Sequence, residues 1–149
     1  MSELRQRAIA LLARREHSRA ELARKLAALG SQEEIEAVLA DLAQSGLLSD
    51  ARAAAAYVSS HAARFGAARL RQTLRQKDIA GELIDAQLAQ ADAPDELARA
   101  RVVWAKKFSA APSDAKDWAR QARFLQSRGF SSDVIRQLLK DPLPEDSSE

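Results

Sequence analysis

The chain has 149 residues, of which 46% are hydrophobic and only 5% aromatic, and it contains no cysteine. This length fits one domain or three small modules, and the absence of thiols excludes disulfides and thiolate metal sites. The sequence has no apolar run of about 18 residues and begins with a charged segment. We therefore expect a cytoplasmic protein that neither enters a membrane nor carries a secretion signal.

Three helices are predicted within residues 1–48, because apolar residues recur there at helical spacing between clear start and stop signals. Two Ser-x-x-Glu patterns, which begin at Ser18 and Ser31, predict capping boxes at the starts of the second and third helices. Gly46 is predicted to end the third helix. The buried stripe of the second helix is expected to comprise Leu22, Leu26 and Leu29.

The same order of signals returns twice along the chain. Asp50 is predicted to start the second round, Gly66 to break its first helix, and Asp95 to start the third round. Asp50 and Asp95 are 45 residues apart, a period typical of stacked helical repeats. We therefore predict an all-α fold with three-helix repeats at 1–48, 49–93 and 94–140, followed by a disordered acidic tail at 141–149.

The sequence lacks the patterns that are typical of active sites, cofactor sites and metal sites. None of the five glycines stands in a phosphate-binding motif, and the only histidines, His17 and His61, have no ligand-type spacing. Trp104 and Trp118 have helical spacing among apolar residues, which favours a core position over base stacking. We expect no catalytic residue, no cofactor and no metal, and hence a protein that is not an enzyme.

The basic residues are the strongest functional signal, although the formal net charge is only +2. Residues 51–77 include six Lys or Arg and no Asp or Glu. Such a segment is either a solvated helix face or a surface for phosphates or an acidic partner, since guanidinium groups bind both through paired hydrogen bonds. The binding candidates are Arg52, Arg64, Arg69, Arg71, Arg75 and Lys77, with Arg123 and Arg128 as a second set.

Four motifs occur in order along the chain. They are Ser-Arg-Ala-Glu-Leu with Arg-Lys-Leu at 18–26, Gly-Leu-Leu-Ser-Asp-Ala-Arg at 46–52, the Arg- and Leu-containing segment 64–79, and Arg-Phe-Leu with Arg-Gly-Phe at 123–130. In this order they resemble the family of the regulatory protein RecX, which modulates the recombinase RecA, over nearly the whole chain. The chain departs from the family pattern at Leu47, Ser49, Ala53 and Asp78.

The resemblance implies three tandem three-helix repeats in an elongated, curved arrangement. It also implies a modulator, mostly an inhibitor, that binds in the groove of the RecA–DNA filament and acts in DNA recombination, DNA repair and the SOS response. Contact with single- or double-stranded DNA would then involve the DNA backbone. Because the sequence has no long heptad seam, a monomer is expected.

Two other interpretations stay open. The first is a helix-turn-helix regulator that reads a DNA sequence without RecA, although its helices lack the Asn, Gln and Ser side chains typical of base recognition. The second is a helical scaffold whose basic surface meets an acidic protein partner, in which case nucleic acid would have no effect on binding.

Overall fold

The computed structural model describes residues 2–90 and 95–140, and within these ranges the protein has nine α-helices and no strand. The predicted all-α fold is therefore confirmed, whereas the predicted acidic tail at 141–149 lies outside the described residues. The helices are α1 (Glu3–Arg14), α2 (Arg19–Leu26), α3 (Gln32–Gln44), α4 (Asp50–His61), α5 (Ala67–Gln76), α6 (Gly81–Gln90), α7 (Glu96–Lys107), α8 (Ala115–Ser127) and α9 (Ser132–Leu139).

The helix starts follow the predicted capping chemistry. The side chains of Ser18 and Ser31 each accept a hydrogen bond from the backbone N–H three residues later, and the glutamate side chain at that position accepts one from the serine N–H. Both capping boxes are thus confirmed. Asp95 caps α7 in the same way through the N–H of Ala98, at 2.8 Å. Each cap satisfies backbone donors that have no partner within the helix.

The described residues divide into two compact units. Unit 1 falls within Met1–Val58 and Thr73–Ala91, and unit 2 within Ser59–Gln72 and Asp92–Glu149. Unit 1 therefore holds α1, α2, α3 and α6, and unit 2 holds α7, α8 and α9, while α4 and α5 contribute residues to both. The repeat boundaries expected after residues 48, 93 and 140 stay predictions.

The core of unit 1 is built mainly from leucine. Leu29 was expected in this core, but its side chain is 55% exposed, so that prediction is wrong. The physical reason is that α2 ends at Leu26, and Leu29 lies in the turn that follows instead of on the buried helix face. The core residues are Leu4, Ala8, Leu11, Leu22, Leu26, Ile35, Leu39, Leu42 and Leu48.

Both tryptophans belong to the packing of unit 2, as expected. Trp104 and Trp118 lie partly buried against a core that includes Val103, Leu125 and Ile135. The Trp104 indole N–H donates to Oε1 of buried Gln121 at 2.7 Å, and the Trp118 indole N–H donates to the Lys140 carbonyl at 2.8 Å. Because each polar edge is satisfied inside the unit, the tryptophans need no ligand to explain their positions.

Candidate partner-binding site

The eight basic candidates are distributed over both units. Unit 1 holds Arg52, Arg75 and Lys77, and unit 2 holds Arg64, Arg69, Arg71, Arg123 and Arg128.

Arg52 stabilises the start of α4. Its Nε lies 3.0 Å from Oε2 of Glu16, and its Nη2 donates to the Gly46 carbonyl at 2.7 Å. These contacts tie α4 to the segment after α1 and to the turn that ends α3. The Arg52 side chain is nevertheless 48% exposed, so part of its guanidinium remains open to solvent.

Lys77, directly after α5, is the least exposed candidate in unit 1. Its Nζ lies 2.7 Å from Oε2 of Glu21 and 5.5 Å from the centroid of the Tyr57 ring. Its carbonyl accepts a hydrogen bond of 2.8 Å from the Ser18 hydroxyl. Since only 19% of the Lys77 side chain is exposed, its ammonium serves mainly to join the end of α5 to the start of α2.

Glu21 is the centre of this junction. Burial alone would raise the pKa of its carboxyl group, but hydrogen bonds from Lys77, the Ser18 backbone and Arg15 outweigh burial and lower the pKa to about 2. The Ser18 N–H donates to Oε1 at 2.9 Å, and Arg15 Nη2 lies 3.1 Å from Oε2. Glu21 therefore stays ionised at neutral pH and compensates the charge of Lys77.

The backbone conformation of Asp78 shows how the chain accommodates one departure from the family pattern. Its φ is 56°, in the left-handed region that favours glycine. Glycine is also the usual residue at this position in the family pattern from which the chain departs. Aspartate tolerates this region better than most side chains. The Asp78 carboxylate also pairs with Arg24 of α2, so the aspartate adds a second contact between α2 and the end of α5.

In unit 2, two of the candidates surround Phe65. The guanidinium of Arg69 lies 4.5 Å from the centroid of the Phe65 ring, and that of Arg64 lies 5.8 Å from it. The His61 ring stacks on the same phenylalanine at 6.2 Å. Cation–π contacts of this kind hold a guanidinium plane in place while the group keeps its charge.

A joint between α8 and α5 positions these arginines. The Gly66 N–H donates to the Arg128 carbonyl at 2.8 Å, the Ala68 N–H donates to the Gly129 carbonyl at 3.2 Å, and Arg69 Nη1 donates to the Ser127 carbonyl at 2.8 Å. Donors at the start of α5 thus meet acceptors at the end of α8, where neither has a partner within its own helix. The joint places the Arg69 side chain against Ser127, the residue before Arg128.

The two glycines of the joint permit this close approach. Gly129 has φ of 90°, and a Cβ atom placed on it would lie 2.8 Å from the Arg69 Cα. A Cβ atom on Gly66 would lie 2.6 Å from the carbonyl carbon of Gly129 and 2.7 Å from a ring carbon of Phe130. Real side chains do not approach that closely, so both positions require glycine.

Sequence reasoning missed a second set of cation–aromatic contacts in unit 2. Arg128 and Lys107 lie 4.9 and 5.6 Å from the Phe124 centroid, and Arg120 lies 5.1 Å from that of Phe108. The two phenylalanine rings meet edge to face at 5.4 Å. The four-residue spacing from Phe124 to Arg128, about one helical turn, was the available signal. The contacts of Lys107 and Arg120 depend on the packing of distant residues and had no local signal.

The remaining candidates differ in exposure. Arg64, Arg75 and Arg123 are exposed, and Arg71 is partly buried. In the described part of the chain, no group of three or more His, Cys, Asp or Glu could hold a metal ion. Among the same residues, no helix has the length and apolar character needed to cross a membrane.

Three family models match consecutive parts of the chain. The first three-helix domain of RecX matches residues 5–42, the second matches residues 49–88, and the third matches residues 94–139. The regulatory protein RecX of Leptothrix cholodnii is 54% identical over 139 residues, which are 92% of this chain and 87% of that protein. The chain belongs to the RecX family.

Other RecX proteins extend the likeness. The regulatory protein RecX of Chromobacterium violaceum is 44% identical and covers 98% of this chain and 95% of its own length. A crystal structure of regulatory protein RecX has a TM-score of 0.76 at 24% identity, covering 93% of this chain and 74% of that chain. RecX from Lactobacillus salivarius has a TM-score of 0.75 at 19% identity, covering 93% of both chains. The predicted family and its three-helix domains in tandem are thus confirmed.

Proposed function

We propose that this RecX family protein binds the RecA recombinase filament and lowers its activity in DNA recombination and repair, without catalysing a reaction itself. The observation that carries this function is the 54% identity to a regulatory protein RecX over 92% of the chain. RecA filaments are cytoplasmic, so the protein would act in the cytoplasm. It would bind the filament as a monomer.

We assign the electrostatic contacts chiefly to the exposed and aromatic-supported arginines. Arg64, Arg75 and Arg123 have exposed side chains, and Arg69 and Arg128 are supported by phenylalanine rings. Their guanidinium groups can bind DNA phosphates or carboxylates of the recombinase. Arg71 completes the binding set. Arg52 and Lys77, which have acidic partners inside unit 1, would contribute mainly to stability.

Removing Arg64 and Arg75 together is expected to weaken binding to RecA filaments on single-stranded DNA about tenfold. If both side chains contact phosphates, the double variant to alanine should also reduce the log–log salt slope by about 0.7 for each contact. Co-sedimentation with preformed filaments at several salt concentrations measures both quantities. A matched control is Arg7→Ala with Arg101→Ala, which removes the same charge from two other exposed positions.

Three results would contradict these assignments. Equal weakening by the test and control variants would mean that net charge, not these two side chains in particular, governs binding. Tight binding to one duplex sequence in the absence of RecA would instead support the helix-turn-helix regulator, and binding that does not change with salt would support an acidic protein partner.

A further inference from the structure

A pocket of about 360 Å³ lies between the end of α1 and the face of α2 in unit 1. Its lining, as far as the described residues show, includes three cations and no carboxylate. Such a concave, positively charged site is suited to a small anion. The lining residues are Leu11, Arg14, Arg15, His17 and Lys25.

His17 lines this pocket and has a buried ring nitrogen without a hydrogen-bond partner among the described residues. Its residue is only 1% exposed, and its Nδ1 lies 3.0 Å from the Arg15 carbonyl. A carbonyl can only accept, so Nδ1 carries the proton and Nε2 of the neutral ring carries a lone pair. Nε2 is buried and has no hydrogen-bond partner among the described residues. Buried polar atoms are rarely left in that condition.

The surroundings of His17 favour the neutral form of its ring. Burial is the main cause that lowers the pKa of His17. The hydrogen bond to the Arg15 carbonyl opposes burial, the charges of Arg15 and Lys25 lower the pKa further, and the charge of Glu21 raises it slightly. Glu21 is itself held by Lys77 and Arg15. An anion in the pocket would oppose this effect, because it would offset the charges of Arg15 and Lys25 and so favour the imidazolium.

We propose that this pocket is a binding site for a tetrahedral oxyanion, such as a phosphate group, held by Arg14, Lys25 and a His17 ring that becomes protonated as the anion binds. Arg15 would add charge while it remains paired with Glu21. Two sources can supply such a group, namely a free phosphate monoester and a phosphodiester of a nucleic acid backbone. The site does not depend on the RecA-binding function, since it is tested on the protein alone.

The histidine ring signals in a nuclear magnetic resonance spectrum provide the test. The chain has only two histidines, so His61 serves as an internal reference for His17. Titration with sulfate, whose charge is constant over the titration range of histidine, should produce a saturable shift of the His17 signals alone. At saturating sulfate the pKa of His17 should be higher than without sulfate, because the bound dianion favours the imidazolium.

Matched lysine variants separate this site from general screening. Lys25→Gln should weaken sulfate binding about tenfold, whereas Lys116→Gln, at an exposed position of α8, should leave binding unchanged. Both side chains are exposed, so neither substitution should disturb the packing of its helix, and far-ultraviolet circular dichroism checks that both variants are folded. The site is refuted by linear shifts that are equal for the two histidines, by an unchanged His17 pKa, or by equal behaviour of the two variants.

The source of the phosphate is distinguished with two further probes. Thymidine 5′-monophosphate carries a monoester, and a short oligothymidylate without terminal phosphates carries only diesters. A His17 shift with the nucleotide alone supports a free monoester as the ligand, and a shift with the oligonucleotide supports backbone contact. If neither probe shifts His17, a phosphate site is ruled out.

Discussion

The Gly66→Ala substitution should destabilise unit 2 by about 3 kcal/mol, because the added methyl group would collide with backbone atoms that cannot move independently. The added Cβ atom would lie 2.6 Å from the Gly129 carbonyl carbon. Relief of this contact requires α5 and the end of α8 to separate, which breaks the hydrogen bond from the Gly66 N–H to the Arg128 carbonyl. With that joint open, Arg69 would also lose its contact with Ser127.

Urea unfolding followed by tryptophan fluorescence measures this effect, since both tryptophans lie in unit 2. The midpoint should fall by about 2 M relative to the parent protein. Gly81→Ala is the matched control, because a Cβ atom on Gly81 meets no other atom within 4 Å. Gly81 lies in unit 1, so circular dichroism is recorded together with fluorescence for both variants. That variant should be unchanged or more stable by about 0.5 kcal/mol. Equal midpoints for the two variants would contradict the close joint between α5 and α8.

The Glu21→Gln substitution should cost about 2 kcal/mol at neutral pH, because it removes the charge that compensates partly buried Lys77. Glutamine can still accept the hydrogen bond from the Ser18 N–H, so the capping box itself is retained. The cost therefore measures the ion pair between Glu21 and Lys77 together with the contact from Arg15. Urea unfolding followed by circular dichroism gives the difference in free energy of unfolding.

The effect of Glu21 should depend on pH in one direction. Its pKa is about 2 in the folded protein, which is below the unfolded value, so folding favours the ionised carboxylate. The stabilisation is complete above the unfolded pKa of about 4.3 and is lost as the pH falls towards 2. The difference in stability between the parent protein and Glu21→Gln should therefore shrink across that interval. A constant difference from pH 6 to pH 2.5 would contradict this mechanism.

The second capping box supplies a control for this experiment. Glu34 receives the Ser31 N–H at 2.8 Å, as Glu21 receives that of Ser18, but no cation in the described part of the chain forms an ion pair with it. Glu34→Gln should consequently cost only a few tenths of a kcal/mol. A loss as large as that of Glu21→Gln would mean that the cap, not the pairing with Lys77, carries the effect.

The helices were predictable because their signals are local. A serine followed three residues later by glutamate specifies a capping box at Ser18 whatever the remainder of the fold does. The same holds for Gly46, whose φ of 85° is the left-handed conformation expected where a helix ends. The prediction for Leu29 was wrong because the helical spacing of leucines in the sequence continues beyond Leu26, where the helix itself ends.

The environment of the basic residues could not be read in this way, because their partners are distant in the sequence. The segment from 51 to 77 has no acid of its own, yet Lys77 pairs with a glutamate 56 residues away and Arg52 with one 36 residues away. The absence of acids within segment 51–77 therefore overstated how many of its basic side chains are available to bind a partner. Gly66 was likewise predicted only as a helix break, since its contact with Gly129 depends on tertiary packing.

The ATPase rate of RecA on single-stranded DNA, measured with increasing amounts of this protein below the RecA concentration, tests the proposed function most directly. We expect a progressive fall in rate, which the double variant Arg64→Ala with Arg75→Ala should weaken and the double variant Arg7→Ala with Arg101→Ala should leave intact. An ATPase rate that stays unchanged even with the protein in excess would contradict RecA regulation by this protein.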